Sequence, residues 1–435
     1  MALGGGTFTA MNKVIPGAYI NFVSAAQANA SLSDRGIAAI GVYTGWGKTG
    51  EIIEVSNADF QKNSLDIFGM AYDDAGLKGL REFFAYVKTA YCYRLDGGGN
   101  KATNTYATAK YAGTKGNSLT IKIAANVDDD TKWDVTTLLG TKVMDVQTVA
   151  TAAGLISNDW VDFKTDATLT ATAGTALAGG TNGTPTGETH QDFLDKLEAY
   201  SFNALGCASD DTTIKGLYVA YTKRLRDEVG KKFQLVAHNV AADYEGVINV
   251  KNTITDATKT GYELVYWVTG VNAAAAVNAS LTNKKYDGEY DIDVTYTQTQ
   301  LENAINAGEF TFHKVGQDVR VLVDINSLTT VSDTKGSIFK SNQTIRVCDC
   351  IANDIALVFN TQFLGTVPND DEGRTALWMQ IVSHHTELVR VRAIEPFSDT
   401  DITVERGNDN KSVVVTDAIT LIGAMEKLYM TVTVA

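Results

Sequence analysis

The sequence predicts a multidomain α+β protein: an αβ core domain, an all-β domain inserted into it, a C-terminal α+β domain, and extended strand arms at both ends. Three observations predict this. A chain of 435 residues is too long for one ordinary core. Helix-type and strand-type periodicities alternate on both sides of a Thr-, Ala- and Gly-rich block in which only strand signals occur. Finally, the first and last stretches read as strands with no covering partner nearby in sequence.

At the N-terminus, Gly4, Gly5 and Gly6 precede Thr7, Phe8, Thr9, Met11 and Val14, with too little apolar surface to build a core. This is an extended arm, residues 1–17, hinged at its glycines and offering free backbone donors and acceptors. After Pro16–Gly17, strands are predicted over 18–23, 36–43 and 51–55. Asn57 is placed to cap a helix starting at Ala58. Leu77, Leu80, Phe84 and Val87 recur at helical spacing, which predicts an amphipathic helix over 76–89, followed by a strand over 90–95.

The inserted β domain is read as 97–187, bounded by Asp96-Gly-Gly-Gly-Asn100 and Gly179-Gly-Thr-Asn-Gly-Thr-Pro-Thr-Gly187. Its strands are predicted at 118–124, 132–138, 141–149 and 161–163. The αβ pattern resumes at Glu188, so 18–96 and 188–341 form one interrupted core domain. Helices are predicted there at 189–200, 212–229 and 299–307, with strands at 233–238, 264–268, 310–313 and 319–325.

The remaining 342–435 begins with two long helices, 342–363 and 370–391, the second opening on Asp370, Asp371 and Glu372, where negative charge suits the helix dipole. A hairpin follows, 401–405 with 411–415, turning at 407–410. A short helix is predicted over 417–424. Then comes a strand in which Leu428, Met430, Val432 and Val434 alternate with Tyr429, Thr431 and Thr433. Its backbone groups need a partner, so both arms point to a subunit completed by its neighbours.

Composition narrows the function. The chain is 44% apolar and 20% charged, as in soluble globular proteins. Its net charge of −14 (37 basic against 51 acidic residues) disfavours direct contact with nucleic acid or an anionic membrane. No secretory signal or membrane-length apolar run is visible, and four Cys make no disulfide framework; assembly in the cytoplasm is expected.

Candidate chemical motifs fail on spacing. Gly45-Trp-Gly-Lys-Thr-Gly50 has Val42 where a phosphate loop needs its first Gly, and the residues after Gly50 read as extended, so it is a turn between strands. Cys348-Asp-Cys350 has no nearby His and too few ligands for a metal, and Cys92 and Cys207 are distant in sequence. His384–His385 form no H-E-x-x-H motif and read as ordinary helix histidines. Asp128-Asp-Asp130 lacks the alternating oxygens of a calcium loop. No nucleophile elbow is present, and five His leave little acid–base chemistry. No enzyme activity, cofactor, catalytic residue or metal is expected.

An ordered set of motifs resembles one family. Thr7-Phe-Thr-x-x-Asn12-Lys-Val-x-Pro16-Gly-x-Tyr19-Ile-Asn21 resembles the start of contractile phage tail sheath proteins of the kind found in prophages of Gram-positive bacteria and in phage-tail-like bacteriocins. Ser31-Leu-Ser-Asp-Arg35, Gly45-Trp-Gly47, Val87-x-Thr-x-Tyr91-x-Tyr-Arg94, Gly113-Thr-Lys-Gly116-Asn, Gly179-Gly-Thr-Asn-Gly183, Gly365-x-Val-Pro-Asn369 and Glu395-Pro-Phe397 are similar to further landmarks. The resemblance implies a contractile tail sheath, built of stacked six-subunit rings around an inner tail tube and meeting baseplate and tail terminator proteins. It makes 342–435 an inner assembly domain and 97–187 an outer, peripheral one. Its arms, Thr7 to Val14 and Leu428 to Val434, would add strands to neighbouring subunits. The alternative from another class is a surface adhesion or sugar-binding protein, which the Thr/Gly-rich β domain would suit.

Overall fold

The computed structural model describes residues 32–256 and 261–434. In chain order the elements are β1 (Ile37–Val42), β2 (Ile53–Ser56), α1 (Asn57–Phe68), α2 (Lys78–Phe84), β3 (Thr89–Arg94), β4 (Lys101–Thr103), β5 (Ala107–Ala112), β6 (Leu119–Ala125), β7 (Trp133–Leu139), β8 (Lys142–Val149), β9 (Val161–Phe163) and β10 (Thr172–Ala176). They continue as α3 (Gly187–Leu197), β11 (Ala204–Cys207), α4 (Thr212–Lys223), β12 (Gln234–His238), β13 (Val247–Val250), α5 (Glu263–Ala274), α6 (Gln298–Asn306), β14 (Glu309–Phe310), β15 (Phe312–Val315), β16 (Asp318–Val321), α7 (Asn342–Val358), α8 (Asp371–Arg390), β17 (Ile402–Arg406) and β18 (Val413–Asp417). The described residues divide into two compact units, one comprising 34–353 with 421–434, the other 32–33 with 354–420.

The larger unit is built on a seven-stranded sheet of order β14-β13-β12-β11-β1-β3-β2, parallel except for β2 against β3. Strands of a parallel sheet are covered on both faces, so their residues are apolar almost without interruption. Along β1, Ala39 faces a core with Phe193, Leu197, Tyr218 and Leu225 from α3, α4 and the turn beyond it. Ala38, Ile40 and Val42 face the other way, against Phe60, Phe68, Leu80 and Phe84 from α1 and α2. α5 lies beside α2 and packs on β11, β12 and β1.

The insertion is a β-sandwich. A three-stranded sheet, β4-β5-β9, faces a four-stranded one, β10-β6-β7-β8. Ala107, Ala109 and Val161 from the first meet Leu119, Ile121, Ile123 and Val135 from the second. One further side chain fills this core from outside it. Trp46, in the loop after β1, is 1% exposed, stacks on Trp160 at 5.1 Å and meets Tyr111 edge-on at 5.2 Å. Arg94 holds that loop, pairing with Asp96 at 2.7 Å and donating to the Gly47 carbonyl at 3.0 Å, while Asp96 accepts from the Gly45 amide at 2.8 Å. Gly113 lies so close that a Cβ there would sit 2.0 Å from the Gly45 carbonyl oxygen, at a φ of +135° that other residues avoid. These contacts lock the sandwich to the core domain.

In the smaller unit, α8 packs on β17 of the β17–β18 hairpin, and Leu377, Ile381 and Ile402 are buried together with Val358 and Phe363.

The structure moves several expected boundaries. Ser56, not Asn57, caps α1, its hydroxyl accepting from the Asp59 amide. The helix expected over 76–89 is a 3-10 turn followed by the seven-residue α2, and Tyr86 and Val87 belong to the turn into β3. The stretch 264–268, expected as a strand, is the middle of α5: Leu264, Val265, Trp267 and Val268 are buried, so no polar face marks its helical period. The helix expected over 417–424 is absent, because Asp417 closes β18 and the following residues run extended. β4, β5 and β10, rich in Ala and Thr, carried too weak an alternation to be predicted. The strand expected over 18–23 lies outside the described residues.

Three outcomes are expected. Replacing 97–187 with a Gly/Ser linker strands Trp46 in water, so that variant aggregates, whereas the same deletion carrying Trp46→Ser stays soluble and folded by circular dichroism and size exclusion. Trp46→Ala in the intact chain costs about 3–5 kcal/mol in guanidinium unfolding. His190, buried and hydrogen-bonded through Nδ1 to the Tyr218 hydroxyl at 3.0 Å, is pushed by burial from 6.5 down to about 4. Its folded pKa is depressed, so the unfolded chain takes up the proton first. Stability is full above pH 6.5 and falls on acidification to about pH 4, by on the order of 3 kcal/mol. His190→Gln flattens that limb in urea titrations at pH 7 and pH 4.5.

Candidate assembly surface

Gln343 and Thr282 tie down the start of the C-terminal segment. Gln343, buried in the first turn of α7, donates to the Asn278 carbonyl at 2.7 Å and the Ile422 carbonyl at 3.2 Å, and its Oε1 accepts from the Ala424 amide at 3.1 Å. Thr282 donates to the Glu426 carboxylate at 2.7 Å. Beyond Lys427 the main chain makes no hydrogen bond among the described residues, and no strand forms. Leu428 is 85% exposed, Tyr429 88%, Met430 73%, Val432 68% and Val434 87%. Thr431 and Thr433 are exposed too. These seven side chains lie in water with the apolar alternation of a strand and no partner. Thr7, Phe8, Thr9, Met11, Val14, Gly4, Gly5 and Gly6 lie outside the described residues.

The smaller unit holds a surface of complementary kind. β17 and β18 pair from Ile402↔Asp417 to Arg406↔Val413, and no third strand joins them among the described residues. Their turn is closed by Asp409, which accepts from the Lys411 and Ser412 amides at 2.7 and 2.8 Å. Trp378 of α8 donates to the Ile402 carbonyl at 3.0 Å, fixing the hairpin to the helix. Val414 and Val415 remain exposed. A two-stranded ribbon is marginal alone and gains from added strands.

The remaining candidate residues are occupied by the fold. The loop at 45–50 is a turn, with Lys48 paired to Glu51 at 3.2 Å on the surface. Burial pushes the Cys92 and Cys207 thiols up to about 12 and Cys348 to about 11, so none is poised as a thiolate. In the turn after β6, the Thr131 hydroxyl and then Lys132 hold Asp129 down to about 2, and the Asn126 side chain caps the Asp128 and Asp129 amides. His384 and His385 depart most from expectation, because both are fully buried and each meets a carboxylate: His384 Nε2 to Asp354 at 3.0 Å and His385 Nε2 to Asp417 at 2.8 Å. The signal was legible: Leu377, Ile381, His384 and Leu388 recur at helical spacing, placing His384 on the apolar stripe of α8.

No helix among the described residues is long and apolar enough to cross a membrane. The described chain combines a mostly parallel sheet, an inserted β-sandwich and an exposed apolar segment without a main-chain partner. The chain matches, in order, the profiles of the phage tail sheath protein beta-sandwich domain over 97–182, the phage tail sheath protein central domain over 183–327 and the phage tail sheath C-terminal domain over 334–435. It is 34% identical to phage-like element PBSX protein XkdK of Bacillus subtilis, over 99% of this chain and 100% of that one. It is 36% identical to the sheath tail protein of Desulfitobacterium hafniense, whose crystal structure superposes with a TM-score of 0.82 over 93% of this chain and 100% of that one. The contracted helical sheath of the anti-feeding prophage shares the fold, at 12% identity and a TM-score of 0.55, over 97% of this chain and 99% of that one.

The chain belongs to the phage tail sheath protein family. It is a tail sheath subunit, a component of the virion tail, and family membership decides against the adhesion reading.

In the free subunit, brief trypsin treatment is expected to cut after Lys427 before any other described site, because 428–434 is exposed and without internal bonds. Intact mass spectrometry reads the loss. Survival of the full-length species while internal loops are cut would show that the segment is covered.

Proposed function

We propose that the subunit polymerises into stacked six-subunit rings around an inner tail tube and shortens on triggering, driving the tube through the target envelope. The observation that supports this best is the exposed segment Leu428–Val434, whose main chain makes no hydrogen bond among the described residues. Its strand, with the N-terminal arm of Thr7, Phe8, Thr9, Met11 and Val14 hinged at Gly4–Gly6, pairs with sheets of neighbouring subunits. The β17–β18 hairpin, with its unjoined edges, is the receiving sheet. Main-chain pairing is directional yet indifferent to side-chain detail, so it persists while subunits swing as rigid bodies. In this reading 342–435 lies inward and 97–187 at the periphery. The partners are copies of this chain, the inner tube, and the baseplate and terminator proteins, meeting in the host cytoplasm. Neither nucleic acid nor membrane is contacted directly.

Deleting 428–435 is expected to leave the thermal unfolding midpoint within about 2 °C of full length, since exposed residues contribute little to folding. The same deletion abolishes striated tubes in negative-stain micrographs. Val432→Pro, which removes one ladder donor, reduces tube formation in the same assay. Tubes of normal length from the truncated chain would remove this end from the mechanism.

A further inference from the structure

Four helical segments are followed by a left-handed residue that is glycine, and a fifth is not. α1 runs into Gly69, α6 into Gly308, and the turns that extend α4 and α7 into Gly230 and Gly365, each with φ between +68° and +89°. α8 runs into Arg392, at a φ of +60°. In that conformation the Cβ of an L-residue crowds a carbonyl oxygen, and glycine escapes the clash. Asn and Asp tolerate it through their short polar side chains, and the other non-glycine cases among the described residues are Asn239, Asp243 and Asn283. Arginine has no such relief.

The fold demands this conformation but not this side chain. The Arg392 amide donates to the Val389 carbonyl at 2.9 Å and the Ala393 amide to the Leu388 carbonyl at 2.8 Å, which closes the helix. The turn sends Ala393 and Ile394 into the interior, at 0% and 1% exposure. Glycine would make both bonds with less strain. The Arg392 side chain meanwhile lies exposed, and its guanidinium meets no carboxylate, carbonyl or ring among the described residues. Arg390, the other cation at that end, is already paired with Glu387 at 2.6 Å. Main-chain donors take the Glu387, Leu388 and Val389 carbonyls, so the dipole of α8 asks only for a diffuse positive charge, which lysine would supply as well.

Backbone strain persists where the surrounding structure enforces it, and it clusters at functional positions. We propose that the Arg392 guanidinium docks on a carboxylate of a second copy of this chain. Charge argues for that partner. Each copy carries a net charge of −14, and residues 354–420 hold eleven Asp and Glu against five Arg and Lys. Copies brought together repel unless cations stand where they touch. A guanidinium is planar and forked, so it takes a carboxylate in two parallel bonds and fixes the orientation of its partner. That copies meet at all rests on the assembly reading above.

The test uses the full-length chain. Arg392→Gly removes the guanidinium and the strain together. In the unassembled subunit its urea unfolding midpoint is expected to equal or exceed the native value. Its critical concentration for assembly, read by sedimentation, is expected to rise on the order of tenfold, the loss of one charge-assisted contact per subunit. Assembly at the native concentration would overturn the proposal. So would a lower midpoint, which would give the side chain a role inside its own subunit. Arg392→Lys identifies the partner. In assemblies mixed from unlabelled and 15N-labelled Arg392→Lys chains, a zero-length carbodiimide is expected to join position 392 to an Asp or Glu peptide of the other label. Cross-links confined to one label, or none at 392 while other lysines react, would sink the contact. The two readings fail separately. A native chain that never assembles removes both, whereas native assembly with an unimpaired Arg392→Gly variant removes this contact alone.

Discussion

A buried ion pair, Arg346 with Asp324, sets the first turns of α7 into the larger unit. Arg346 and Asp324 are about as buried as side chains can be, at 1% and 2% exposure. Taking two such charges from water costs several kcal/mol each, which mutual attraction alone does not offset. The remaining bonds are therefore decisive. Asp324 also accepts from the Leu281 amide and the Asn342 side chain, both at 2.9 Å, and Arg346 also donates to Asn272 at 2.8 Å and the Ala279 carbonyl at 2.6 Å. One turn on, Asp349 takes a two-pronged contact from Arg226 at 2.7 and 2.8 Å. An apolar seam would hold α7 as tightly but would tolerate sliding. A fork of guanidinium on carboxylate fixes rotation and register. Gln343, which ties down the exit of the C-terminal segment, lies three residues before Arg346 on this helix.

The molecule thus divides its polar groups by task. Several buried carboxylates, guanidinium groups and imidazoles meet one another, and burial keeps the Cys92 and Cys207 thiols protonated. A site for covalent chemistry needs a reactive group held partly unsatisfied and reachable by substrate. At the surface, the main-chain donors and acceptors of the exposed segment Leu428–Val434 and the outer edges of the hairpin carry no main-chain partner among the described residues. In the proposed assembly they pair with an extended backbone of another copy.

Much of the fold was legible in the sequence, and the failures share a cause. Strands with β-branched or alternating residues, such as Val161–Phe163 and Trp133–Leu139, were found within a residue, and α7 and α8 announced themselves by caps and length. α5 was misread because it is buried nearly all round; Leu264 to Val268 has neither a polar face nor a turn signal, and a short apolar run has no period to measure. The turn region after β18 was misread because its helix-like composition is overridden by Gln343, which bonds Ile422 and Ala424 in an extended path. Trp46 could not have been placed by pattern at all, since its partners Trp160 and Tyr111 lie far along the chain. For the assembly surface, alternation at Leu428–Val434 was visible, but the carboxylate contacts of the two buried histidines were not. His384 sat openly on an apolar stripe, while its meaning depended on Asp354 and on His385's contact with Asp417, which only the fold brings together.

The exposed segment also sets the direction of the energetics. Leu428, Met430, Val432 and Val434 lie in water in the free subunit, and burying each is worth about 1.5–3 kcal/mol. Ordering a loose strand and restricting two subunits consume much of that gain, so one pairing is modest. A subunit that both gives and receives strands is held by several pairings at once. After the first forms, the others are intramolecular, and the second arm closes at a high effective concentration. Weak, repeated, backbone-directed contacts give a lattice that is stable in bulk yet allows its units to reorient, because no single contact demands a unique side-chain packing. A stronger arm, with a large hydrophobic anchor seated in a closed pocket, would hold two subunits more tightly and would resist the rigid-body swing that a contracting sheath requires.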